Sequence, residues 1–100
     1  MNRNTLITLL MLFIASHVTA GEVVIRARSE VQNLTVTLGD IAQLEGFRRP
    51  DRVALEAIEL GRAPTIGQRR IIPKAFLRSR IQRALPPGST LRLGRQTEVR

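Results

Sequence analysis

Leu34-Thr35-Val36-Thr37-Leu38-Gly39-Asp40-Ile41 carries the plainest structural signal in the chain. Leu34, Val36 and Leu38 alternate with Thr35 and Thr37, the two-residue period of a strand with one buried face. β-branched residues suit such a pleated, half-buried surface. Gly39-Asp40 interrupts the alternation, and the Asp40 carboxylate is suited to cap a following turn. Ile41 and Leu44 share a side at three-residue spacing, which predicts one helical turn over Ile41–Gln43.

On the N-terminal side, Glu22–Arg28 reads as a second strand, with Val23, Ile25 and Ala27 on one side. Ser29–Asn33 connects the two. On the C-terminal side, Glu45–Pro50 reads as a polar loop in which Pro50 restricts Arg49 to extended geometry. A short helix over Asp51–Leu55 and a strand through Ile58 and Leu60, ending at Gly61, follow. Arg62–Gln68 holds Pro64 and Gly67 and reads as a loop, and Gln68–Ile72 as a short strand.

Pro73–Leu85 is the strongest helix, with Pro73 at its first position. Leu77, Ile81, Ala84 and Leu85 recur at helical spacing, with Phe76 beside them, and predict a core-facing stripe. Pro86-Pro87-Gly88 ends it, and Thr90–Leu93 and Gln96–Arg100 resume strand alternation. The expected fold is α+β: a small, irregular, mostly antiparallel sheet with the amphipathic helix Pro73–Leu85 packed on it.

The first twenty residues have a different character. Arg3 precedes an apolar stretch, Leu6–Ala15, broken only by Thr8, and Val18 and Ala20 stand where a signal peptidase reads small residues. This is the layout of a cleaved secretory signal. The apolar stretch is shorter than the roughly 20 residues of a membrane span. The expected division is a signal peptide over 1–20 and one α+β domain over 21–100, located outside the inner membrane, with no membrane contact after cleavage.

Removing the signal sharpens the chemistry. His17 and both methionines, Met1 and Met11, leave with it, and the chain has no Cys, Trp or Tyr. Nucleophilic catalysis commonly needs Ser, Cys, Thr or Lys with a base beside it, most often His, and of these the rest of the chain keeps no His or Cys and a single Lys, Lys74; zinc sites are built around Cys and His. The remaining acids, Glu22, Glu30, Asp40, Glu45, Asp51, Glu56, Glu59 and Glu98, are scattered along the chain. No catalytic, cofactor or metal site is expected, and the segment reads as a non-enzyme. Fifteen of the sixteen Lys and Arg residues lie after Ala20, with all eight acids, leaving a basic domain. Such a surface attracts polyanions or acidic protein faces. An exported chain with only Phe47 and Phe76 for stacking does not suit nucleic acid. The arginines of the helix, Arg78, Arg80 and Arg83, with Arg69 and Arg70 ahead of it, are the candidate partner-binding residues.

Several segments, taken in order, resemble the N-terminal region of the flagellar P-ring assembly protein family, periplasmic chaperones of Gram-negative flagella. They are Glu22–Arg28, Thr35–Gly46, Ala57–Pro64 and Gly67–Leu85. The most specific parts are Val36-Thr37-Leu38-Gly39-Asp40-Ile41-Ala42 and Ile58-Glu59-Leu60-Gly61. The resemblance implies a non-enzymatic factor that binds P-ring subunits and assists their polymerisation around the rod. It also implies that such chains continue beyond this region into β-rich domains of the SAF (β-clip) type. Two other readings remain open from the residues alone: a basic module that binds the anionic cell envelope, and the N-terminal part of a larger exported protein.

Overall fold

The computed structural model describes residues 21–100. The predicted signal peptide, with Val18 and Ala20, lies outside the described residues. Eight short strands and three helices follow in the order β1 (Glu22–Ile25), β2 (Arg28–Ser29), β3 (Thr35–Thr37), α1 (Leu38–Ile41), β4 (Ala42–Glu45), α2 (Arg49–Glu56), β5 (Glu59–Arg62), β6 (Arg70–Ile72), α3 (Lys74–Gln82), β7 (Thr90–Arg92) and β8 (Thr97–Val99). The predicted α+β class is what the structure has, but the strands form three small sheets in place of one. The first has the order β4-β1-β7, the second β2-β8-β6, and the third pairs β3 with β5. Three pairings are antiparallel, while β1 with β7 and β2 with β8 run parallel.

The expected strand Glu22–Arg28 is one extended segment with two sets of partners. Its first half pairs with β4 and β7 in the first sheet. Arg26 still follows the ladder with β4, donating to the Ile41 carbonyl at 2.8 Å, and the chain bends at Ala27. The Ala27 carbonyl then accepts from the Glu98 amide at 2.9 Å, and β2 enters the second sheet. The change of partner breaks the alternation: Val23 and Ile25 are buried, but Ala27 is exposed.

At the Leu34–Ile41 segment the strand is shorter and the helical turn earlier than expected. Val36 and Leu38 are buried, whereas Leu34 is 88% exposed, because the pairing of β3 with β5 begins at Thr35. The turn covers Leu38–Ile41, and Gln43 belongs to β4. Asp40 therefore caps the start of its own turn and not a later one. Its Oδ2 accepts from the Thr37 amide at 2.9 Å and from the Thr37 hydroxyl at 3.1 Å. Such back-bonding satisfies a donor that the first turn leaves unpaired. Gly39 is helical. A Cβ there would lie 3.2 Å from Glu56 Cβ, so its small size lets α1 pass close to the end of α2.

α2 begins at Arg49, so Pro50 does not hold that residue extended; the extended position moves back to Arg48, with φ −67° and ψ 151°. Pro50 sits in the first turn, where a missing amide costs no helical bond. Pro73 is likewise extended, with ψ 137°, and precedes α3 instead of opening it. α3 stops at Gln82, short of Leu85, because Ala84 and Leu85 turn tightly through three-residue bonds ahead of Pro86. Leu77 and Ile81 are fully buried, as the stripe predicts, while Ala84 is exposed and Phe76 is 41% exposed.

Twelve apolar residues from all three sheets and all three helices make one core: Val23, Ile25, Val36, Leu38, Ile41, Ala42, Leu55, Leu60, Ile72, Leu77, Ile81 and Val99. Truncating a buried leucine costs about 2–5 kcal/mol, a large share of the roughly 4–12 kcal/mol available to a domain of this size. Leu77→Ala is expected to lower stability by about 2–5 kcal/mol, and Asp40→Ala by about 1 kcal/mol. Urea denaturation of the full chain followed by circular dichroism checks both values.

Candidate functional site

The family-like segment Val36-Thr37-Leu38-Gly39-Asp40-Ile41 is occupied with the fold. Val36, Leu38 and Ile41 are core residues, Thr37 and Asp40 bond each other, and Gly39 lies under Glu56. The segment positions surfaces rather than forming one.

The five arginines singled out from the sequence separate into three groups. Arg70 and Arg80 bind the edge of β5 that faces away from β3. Arg70 Nη1 donates to the Arg62 carbonyl at 2.6 Å, and Arg80 Nε donates to the Glu59 carbonyl at 3.2 Å. The opposite edge is taken by β3, through the flanking bonds from Leu38 N to the Ile58 carbonyl and from Ala63 N to the Leu34 carbonyl. Two guanidinium groups thus cover carbonyls that an unpaired strand edge would leave bare. Gly61, with φ +120°, makes room: a Cβ there would sit 3.3 Å from Arg70 Nη1. Arg78 and Arg83 are exposed at α3. Arg69 stands just ahead of β6, away from the helix, and its guanidinium reaches Glu98 of the second sheet.

On the outer face of that sheet the structure gathers cations from distant segments. Thr97 and Val99 of β8 are buried, which turns Glu98 and Arg100 to the other side. The register sets Arg28 of β2 and Ile71 of β6 on either side of Glu98, in one cross-strand row. The Glu98 carboxylate lies between two arginines, with Oε1 3.3 Å from Arg69 Nη1 and Oε2 3.8 Å from Arg28 Nε. Its side chain is only 16% exposed, while those of Arg28 and Arg69 are 79% and 64% exposed.

Four open depressions follow this sheet, each sharing a lining residue with the next. Gly67, Gln68, Arg69 and Arg100 line the first. Arg28, Ser29, Glu30 and Arg100 line the second. The third includes Arg28, Arg95, Gln96 and Glu98, and the last runs past Arg95 to Ile71, Pro73 and Lys74. Their volumes lie between about 220 and 360 Å³. Five cations, Arg28, Arg69, Lys74, Arg95 and Arg100, thus border this row of neighbouring depressions, the last of which opens at the end of the sheet beside the buried Ile72 and Thr97, against two acids, Glu30 and Glu98. Arg95 and Arg100 pair with no acid among the described residues.

Of the five cations that border these depressions the sequence singles out Arg69 alone; Arg28, Lys74, Arg95 and Arg100 are added by the structure. The alternation of Gln96–Arg100 does place Glu98 and Arg100 on the side opposite Val99. The pairing of β8 with both β2 and β6 then brings Arg28 and Arg69 to them, and no local pattern encodes that pairing.

The chain matches no protein-family model and no curated protein. Among solved structures it is similar to the crystal structure of a functionally unknown protein from Eubacterium ventriosum. The TM-score is 0.56 and the identity 19%, over 80% of this chain and 91% of that one. At that identity the likeness is one of fold.

The two roles found for arginine are separable by stability. The double variant Arg70→Ala/Arg80→Ala is expected to lose about 1–2 kcal/mol, several degrees in Tm, through two lost hydrogen bonds at the β5 edge. Arg78→Ala/Arg83→Ala is expected to stay within about 0.5 kcal/mol of the parent. Thermal unfolding of the three proteins side by side checks the order.

Proposed function

We propose that this chain is a periplasmic assembly factor for the flagellar P-ring, which binds P-ring subunits and assists their polymerisation around the rod. The observation that carries the proposal is the union of the two most family-like segments. Val36–Ala42 and Ile58–Gly61 are separated in sequence, yet β3 pairs with β5 and the Leu38 amide donates to the Ile58 carbonyl at 2.9 Å. A likeness concentrated on residues that make one folded unit supports a shared domain more strongly than scattered identities would. The residue inventory after Ala20 supports binding as the mode of action, because it lacks the His, Cys and Tyr groups on which most acid–base and nucleophilic catalysis relies. The arginine-bordered track on the second sheet supplies a surface on which a partner could be held.

The same track supports a second reading, a module that binds the anionic cell envelope without a flagellar role. Contacts of that kind are screened over about 8–10 Å at physiological ionic strength, so they weaken steeply with salt. Deletion of the gene is expected to abolish swimming and to leave basal bodies without a P-ring in electron micrographs, with both restored by the intact gene. Normal P-rings in the deletion strain would overturn the flagellar reading.

A further inference from the structure

We propose that the outer face of the second sheet docks an acidic polypeptide segment that also carries an apolar side chain. The inference rests on this face alone and stands independently of the flagellar reading. Charge sets the class of partner: Arg28, Arg69, Lys74, Arg95 and Arg100 border the track, against Glu30 and Glu98. All but one of these cations are guanidinium groups, planar forks that match carboxylates and hold them through two parallel bonds.

The chain itself displays how a carboxylate sits there. Glu98 lodges between Arg69 and Arg28, close to the first at 3.3 Å and loosely against the second at 3.8 Å. The longer separation lies beyond hydrogen-bond distance, so the Arg28 fork keeps its donors for an incoming acid. Arg95 and Arg100 extend the same offer on either side.

Charge alone does not account for Ile71. It is 53% exposed and stands directly across from Glu98, within the row that Arg28 begins. Pro73 continues the apolar end of the track. A polypeptide with alternating acidic and apolar side chains satisfies both ends at once. A sugar–phosphate polymer meets the cations but leaves Ile71 without a partner; an anionic bilayer offers both charge and acyl chains, and the vesicle arm of the test separates it from a polypeptide.

The test is fluorescence anisotropy with the purified full chain and a labelled decapeptide that alternates Glu and Leu. A Gln/Leu decapeptide, inorganic polyphosphate and vesicles containing phosphatidylglycerol serve as competitors. The Glu/Leu peptide is expected to bind, and Arg28→Gln/Arg95→Gln/Arg100→Gln to weaken it at least tenfold with an unchanged circular dichroism spectrum. Arg78→Gln/Arg83→Gln is expected to leave binding within twofold. Ile71→Thr is expected to weaken the Glu/Leu peptide about threefold while leaving an all-Glu decapeptide unaffected. Three results would each overturn the proposal: unchanged affinity in the folded triple variant, equal binding of the Gln/Leu peptide, or tighter binding of polyphosphate or vesicles than of the Glu/Leu peptide.

Discussion

With no cysteine to cross-link it, the domain depends on a single body of aliphatic contact. Neither the two-stranded sheet nor either three-stranded one has a core of its own; β1, β3, β5, β6 and β8 each turn side chains into the same cluster. Short ladders of this kind are marginal unless a shared apolar face holds them. α3 contributes Leu77 and Ile81, both fully buried, and α1 contributes Leu38 and Ile41 from a single turn. A helix of four residues does not persist by propensity. It exists here because the Thr37–Asp40 bonds close its first turn and because both of its apolar residues are buried in the cluster.

Arginine does two kinds of work in this molecule. At β5 it replaces a neighbouring strand, covering the Glu59 and Arg62 carbonyls that the pairing with β3 leaves outward. On the second sheet it borders an open track around Glu98. The distinction lies in what the guanidinium finds: a fixed carbonyl within reach in the first case, and solvent or a shared carboxylate in the second. Counting charges along α3 merges these roles, although 3.6 residues per turn put Arg78 and Arg80 on nearly opposite sides and only Arg80 reaches a backbone acceptor.

Much of the architecture was legible before any coordinates. The alternation around Val36, the helical stripe of Leu77 and Ile81, and the strands near Leu60 and Val99 all correspond to buried faces. The errors have physical causes. Leu34 belongs to the strand by pattern, and its carbonyl still accepts from the Ala63 amide, yet at the end of the ladder its side chain stays in solvent. Ala27 continues an alternation that ends when the chain changes sheets. Pro50 lies inside the first turn of α2 with a helical Arg49 before it, and Pro73 stands one residue ahead of α3, each displaced from the place that local preference suggested.

The residues alone therefore determined the class of the domain and most of the faces that become core, because periodicity is a local property. Which strands pair, and so which arginines meet, was decided by tertiary structure. Arg28, Arg69, Arg95 and Arg100 come together only because β8 lies between β2 and β6, with Val99 turned into the core. Such pairing depends on the simultaneous burial of residues from distant parts of the chain, a collective condition that no window of sequence contains.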